Sequence, residues 1–171
     1  MNSADSCGCG DIDESASIRV AVITLSDTRT AATDRSGDEV VSQLKKSGHQ
    51  CVQRQILNDD ADPLRQQLQS LVANENVQAI ITTGGTGIAP RDMAVDAVES
   101  LLDITLPGFG EHFRRVSVDE IGPKAILSRA IAGRINRTIV IALPGSTGAV
   151  RTGMTKCVLP ILPHMVSLAS R

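Results

Sequence analysis

Three nearly continuous aliphatic runs constrain this chain more than anything else in it: Val20-Ala21-Val22-Ile23, residues 77–81, and Ile139-Val140-Ile141-Ala142-Leu143. A strand with one wet face alternates polar and apolar side chains, whereas a strand covered on both faces has no reason to. Helical patterns separate the runs. Val40, Val41 and Leu44 recur at helical spacing across residues 36–46, and Gly48 stops that helix. Leu64, Leu68, Leu71 and Val72 form a second apolar stripe, with Asp62 as its expected N-cap and Pro63 as its first helical residue. Residues 49–57 read as a weaker strand. Further helical patterns cover residues 93–102, 110–117 and 120–131, and the closing helix should kink or break at Pro160 and Pro163. Strands alternating with helices predict an α/β fold: a mostly parallel sheet with helices on both faces, a three-layer α/β/α sandwich.

Composition narrows the function classes. At 171 residues the chain suits one domain with a full core. Its net charge of −2 gives no field that would gather nucleic acid, and with no Trp or Tyr and only Phe109 and Phe113 it offers almost no stacking platform. No apolar stretch reaches the roughly 20 residues that span a bilayer, and the N-terminus lacks the basic and apolar regions of a signal peptide. A cytoplasmic protein is expected, binding neither nucleic acid nor membrane. Residues 1–17, rich in Ser, Asp and Gly, read as a disordered tail, and residues 18–171 as the single folded domain. Cys7 and Cys9 fall in the tail, without a later partner pair at zinc spacing. Cys51 and Cys157 sit in apolar-periodic segments and are expected to be buried reduced thiols. His49, His112 and His164 are scattered and read as surface or structural.

In open parallel sheets, ligands bind outside the carboxyl ends of the strands, at a topological switch point. Three such ends here carry polar or glycine-rich turns: Ser26-Asp27, Thr83-Gly84-Gly85-Thr86-Gly87, and Pro144-Gly145-Ser146. Glycines allow backbone N–H groups to converge on an anion, and Asp92 follows the second turn, so this loop reads as a phosphate cradle with an acid beside it. The acid also suits a magnesium ion. No Gly-Lys-Ser/Thr follows, which excludes a Walker A loop, and Pro90 falls where a dinucleotide fingerprint needs Gly or Ala. Each candidate has a plain structural alternative. Asp92 could cap the helix after it, Asp59 and Asp60 could be solvated turn residues, Glu111 could answer the dipole of its helix, and Ser128 could be an interior helical serine.

These segments together resemble the MoaB/Mog family of molybdenum-cofactor biosynthesis proteins. The resemblance rests on Ile23-Thr24-Leu25-Ser26-Asp27, Thr83-Gly84-Gly85-Thr86-Gly87 with Arg91-Asp92, Pro107-Gly108-Phe109-Gly110-Glu111, Leu127-Ser128-Arg129-Ala130 and Leu143-Pro144-Gly145-Ser146. It runs from about Ile18 to the C-terminus, with Glu120-Ile121-Gly122 closer to the MoaB branch. It implies a homotrimer that adenylylates molybdopterin with Mg²⁺ and ATP, releasing pyrophosphate and supplying a downstream molybdate-insertion enzyme. It further implies Asp59 and Asp92 as catalytic acids and magnesium ligands, with Asp60 an adjacent rival of Asp59. Ser128 would contact the pterin. Gly84, Gly85, Thr86, Gly87, Gly108, Glu111, Pro144, Gly145 and Ser146 would line the pterin and nucleotide pocket, and Ser26, Asp27 and Thr83 would adjoin it. A non-catalytic molybdopterin-binding paralogue or scaffold trimer is the alternative that the same resemblance allows, and a nucleotide-binding domain with another substrate is a third.

Overall fold

The computed structural model describes residues 15–171; Cys7, Cys9 and the greater part of the expected tail lie outside them. Six strands form one sheet in the order β2-β1-β3-β6-β5-β4. They are β1 (Arg19–Leu25), β2 (Gln50–Leu57), β3 (Ala79–Thr83), β4 (Ile104–Thr105), β5 (Ile131–Ile135) and β6 (Thr138–Leu143). The first three and β6 run parallel, while β5 pairs antiparallel with β6 and the short β4 antiparallel with β5. The mostly parallel three-layer architecture expected from the aliphatic runs is what the chain adopts.

Alternate residues of the central strands feed two cores. Val20, Val22, Ile81, Ile141 and Leu143 pack with α1 (Arg35–Lys46), α4 (Pro107–Ile121), α5 (Thr147–Thr152) and α6 (Leu162–Ala169). Ala21, Ile23, Leu25, Ile80 and Val140 face α2 (Ala61–Val72) and α3 (Ala94–Glu99) on the other side. Both faces of β1, β3 and β6 are therefore dry, which is why their sequences do not alternate.

Several boundaries differ from the sequence reading. The third strand begins at Ala79, two residues late, because Val77 sits in the turn before it and donates its N–H to Asn74. Asp60, not Asp62, caps α2, accepting from the Asp62 N–H at 3.4 Å, and Pro63 falls within the first turn, where its missing N–H costs nothing. The helix expected over residues 120–131 does not exist. Residues 120–121 end α4, a 3-10 turn covers Gly122–Leu127, and Ile131 opens β5. Beyond α5 the chain winds through a wider π-helical stretch, Gly153–Val158, and breaks around Pro160 before α6, close to the expected kink. Cys157 is buried and Cys51 half-buried, both as free thiols. Burial pushes the Cys157 thiol up to about 11, with Lys156 nearby opposing it, so it stays protonated at neutral pH.

Candidate functional site

The switch point lies between β1 and β3, where connections leave in opposite directions, and the sequence places its glycine loop there. Gly84 and Gly85 adopt φ of +106° and +60°, a region L side chains rarely enter. A Cβ on Gly84 would sit 2.5 Å from the Leu25 carbonyl oxygen, and one on Gly85 would sit 2.7 Å from Asp59 Oδ1 and 2.9 Å from the Ala94 Cβ. The missing side chains thus let the loop pass directly over the end of β1 and against an acid. The Gly84 N–H continues the ladder by donating to the Leu143 carbonyl at 3.0 Å, which ties the loop to β6.

A cavity of about 490 Å³ opens over these strand ends. Its floor is Gly84, Gly85, Thr86 and Gly87 with Pro144, Gly145 and Ser146. One wall is Asp59, Arg91 and Asp92. The other is the last turns of α4 and the 3-10 turn, through Phe113, Ser117, Glu120, Ile121, Ala125, Leu127 and Ser128. One side is therefore charged and the other largely apolar, a pairing that suits a flat heterocycle carrying phosphate.

The charged wall is built around Asp59. Its backbone N–H donates to Asp27 Oδ1 at 3.1 Å, and its own Oδ1 is buried with no hydrogen-bond partner among the described residues. Burial raises the Asp59 pKa above the ordinary carboxylate value, and the negative charges of Asp92 and Asp27 push the same way while Arg91 opposes them. A buried acceptor without a donor is costly, so it points to a group that arrives with the ligand. Asp60 is turned to the cap of α2, so of the two adjacent acids Asp59 is the one at the cavity. Asp92 does not cap α3 either. The N-cap position of α3 is Met93, without a side-chain bond, and Asp92 Oδ2 instead accepts the Ala89 N–H at 2.8 Å, closing the loop on itself.

Other expected residues are placed as follows. Ser128 lies in a loop rather than inside a helix, lines the cavity and accepts the Ala130 N–H at 3.3 Å. Ser146 lines the cavity and also caps α5, accepting from the Ala149 N–H at 3.2 Å. Ser26, Asp27 and Thr83 stand behind it. Ser26 Oγ accepts from the Thr28 and Arg29 N–H groups, and the buried Thr83 hydroxyl pairs with Ser36 at 3.2 Å. Gly108 and Glu111 do not line this cavity. The first turn of α4 follows the edge strand β4, two strands away from β6, and Glu111 instead lines a neighbouring groove of about 410 Å³ that shares Ser128.

Three residues to which the sequence gave no place in the site line the cavity, Arg91, Ser117 and Glu120, and Arg29 supports it from outside. Arg91 is the one cation among the described residues lining the cavity, its side chain 72% exposed and 3.8 Å from Asp27 Oδ2. Ser117 and Glu120 follow Phe113 on one face of α4, a spacing hidden by the misplaced end of that helix. Arg29 donates to the Gly145 carbonyl at 2.9 Å and to Ser36 Oγ, bracing the third strand end from behind. Beside it, 3.7 Å from Arg29 Nη1, is the buried Asp34 carboxylate, which accepts from Thr24, Ser36, the Gly37 N–H and Arg54. Burial works against ionised Asp34, but Arg54, Gly37, Thr24 and Ser36 outweigh it and hold its pKa below the ordinary value.

Among the described residues no group of three or more His, Cys, Asp or Glu is arranged to hold a metal by itself. Magnesium does not require one, since it is commonly bound through one or two carboxylates together with substrate phosphates. The unpartnered oxygen of Asp59, with Asp92 nearby, fits that role.

Comparison with known proteins shows the family and agrees with the fold. Residues 21–164 match the family model described as "Probable molybdopterin binding domain". The chain is 44% identical to Molybdenum cofactor biosynthesis protein B of Bacillus cereus over 149 residues, 86% of this chain and 88% of that protein. A crystal structure of Molybdenum cofactor biosynthesis protein B superposes with a TM-score of 0.88 at 43% identity, covering 90% of this chain and 96% of that one. The tungsten cofactor synthesizing protein MoaB from Pyrococcus furiosus is also similar, at TM-score 0.79 and 33% identity, covering 91% and 98% of the two chains.

Proposed function

The chain belongs to the MoaB/Mog family of molybdenum-cofactor biosynthesis proteins, and on that premise we propose that it adenylylates molybdopterin, using Mg-ATP and releasing pyrophosphate. The observation that carries the reading is the buried, unpartnered oxygen of Asp59 facing a glycine loop at the switch point, inside a cavity with one charged and one apolar side. The pterin would lie against Phe113, Ile121, Ala125 and Leu127, with Ser128 at its edge. Its terminal phosphate and those of ATP would meet over Gly84–Gly87 and Pro144–Ser146.

Two polyanions must approach each other in a cavity whose lining carries Asp59, Asp92 and Glu120 against Arg91 alone. Backbone N–H groups contribute no net charge but present fixed positive dipoles to phosphate oxygens. Arg91, exposed and only loosely paired, is free to turn to a phosphate. Asp59 and Asp92 would hold magnesium, which when bound would screen the phosphate charges. The attacking phosphate oxygen is already anionic, so no side chain need remove a proton. The protein's work is to align that oxygen with the α-phosphorus and the leaving pyrophosphate, which is catalysis by position and electrostatics. A cytoplasmic homotrimer that passes adenylylated pterin to a molybdate-inserting enzyme completes the proposal.

The test is to compare wild type with Asp92→Ala and Asp59→Asn. Wild type is expected to form adenylylated pterin and pyrophosphate, and both variants are expected to retain pterin binding while losing turnover by about 100-fold or more. Pterin binding without product in wild type would overturn the enzyme reading in favour of a non-catalytic binding protein. Nucleotide binding with no pterin affinity would overturn both.

A further inference from the structure

Arg129 follows Ser128 in the connection between the 3-10 turn and β5, and its side chain is 36% exposed. Its guanidinium spends its donors on one short stretch of chain. Nε donates to the Gly87 carbonyl at 2.9 Å and Nη2 to the Asp92 carbonyl at 2.5 Å. Nη1 donates to both carboxylate oxygens of Asp96 at 3.2 and 3.1 Å. The backbone N–H of the same residue donates to the Thr86 carbonyl at 3.0 Å. One residue therefore grips the glycine loop at its middle, at Asp92, and at the helix beyond.

The segment's own bonds are short-range or lie at its base. Asp92 bonds to Ala89 through both side chain and backbone, and the Met93 N–H donates to the Arg91 carbonyl and the Ala94 N–H to the Gly85 carbonyl; α3 is only six residues long and has no side-chain cap; and the Arg91–Asp27 pair is an exposed contact at 3.8 Å. A surface ion pair between Arg129 and Asp96 would by itself count for little. The two backbone carbonyls are a different matter, since a planar fork can satisfy separated acceptors at once and a lysine ammonium cannot.

We propose that Arg129 is a positioning residue that fixes the glycine loop and Asp92 relative to Ser128, and so joins the phosphate side of the cavity to its pterin side. Its kinetic consequence rests on the adenylyltransferase reading; its structural consequence does not. The experiment uses the full chain with Arg129→Ala and Arg129→Lys. Amide hydrogen exchange is expected to quicken over residues 86–93 in both variants, with β1 and β3 still protected. In the turnover assay kcat is expected to fall about 10- to 100-fold, with a smaller rise in KM, because a displacement of about 1 Å can cost that much. Lysine should not restore it. Should Arg129→Ala fail to fold, Arg129→Lys, which keeps the charge beside Asp96, carries the same test. Unchanged exchange over residues 86–93, or full kcat in either variant, would overturn the proposal. A wild type that binds pterin but makes no adenylylated product would overturn the function, with the exchange result still deciding what Arg129 does.

Discussion

The Asp59 carboxyl, partly stripped of water and placed near Asp92 and Asp27, has its pKa raised above 3.8 in the folded protein. A raised carboxyl pKa means that the fold favours the protonated form. The associated stability is complete below the unfolded value and is lost as pH rises through the folded one. At neutral pH the ionised group is therefore a cost to the unliganded protein. Asp59→Asn is predicted to raise the thermal midpoint at pH 7 while lowering turnover; a lower midpoint by calorimetry would contradict this. Asp27→Asn removes one of the neighbouring charges and keeps the oxygen that accepts the Asp59 N–H. It should lower the Asp59 pKa, read directly by carboxyl carbon NMR, and an unmoved titration would sink the electrostatic account. At this scale the sequence was only partly legible. Thr83 to Gly87 and Asp92 announced a loop with an acid. The choice between Asp59 and Asp60 depended on which one turned to the cap of α2, and adjacent acids in a turn carry no such signal. Arg91 and Arg129 stood inside motifs, but neither had a role until the loops were folded beside them.

Loops and elements show the same division between local pattern and tertiary contact. The strands that are dry on both faces were readable because burial removes alternation. The strand β5 was not: Ile131 to Ile135 is short, is interrupted by Gly133, and joins β6 through a turn in which Asn136 takes φ of +51° before an arginine, without the Asn-Gly signature of a tight hairpin. Reading on in a helical period through Ser128 was the result, and it hid the connection from which Arg129 reaches the glycine loop. Asp34→Ala removes the acceptor shared by Thr24, Ser36, Gly37 and Arg54 and should cost about 3 kcal/mol or more of stability by urea unfolding. Because the Asp34 pKa is lowered, its contribution is present above 3.8 and is lost as pH falls through the folded value, so the deficit of the variant should shrink in acid. Gly85→Ala would force a side chain into φ of +60° against Asp59 Oδ1 and Ala94. It should cost about 1–2 kcal/mol from the backbone alone and should also displace the acid. A variant as stable and as active as wild type would show that the close approach is not required.

For the molecule as a whole, the sheet brings three strand ends to one rim, and apolar side chains away from that rim are left uncovered among the described residues. Ile104, Leu106 and Leu168 are exposed near the β4 edge, and Val118 and Ile126 near the end of α4. Contacts between copies would cover such faces, and light scattering should return three times the 18.0 kDa of one chain; a monomer mass at working concentration would contradict the trimer. Transfer of AMP from ATP to the pterin can be followed with a single label. The purified protein would be incubated with molybdopterin, Mg²⁺ and ATP labelled at the α-phosphorus. Label is expected in the pterin product with an equal amount of pyrophosphate released. Pterin that binds but stays unlabelled while ATP remains intact would contradict it.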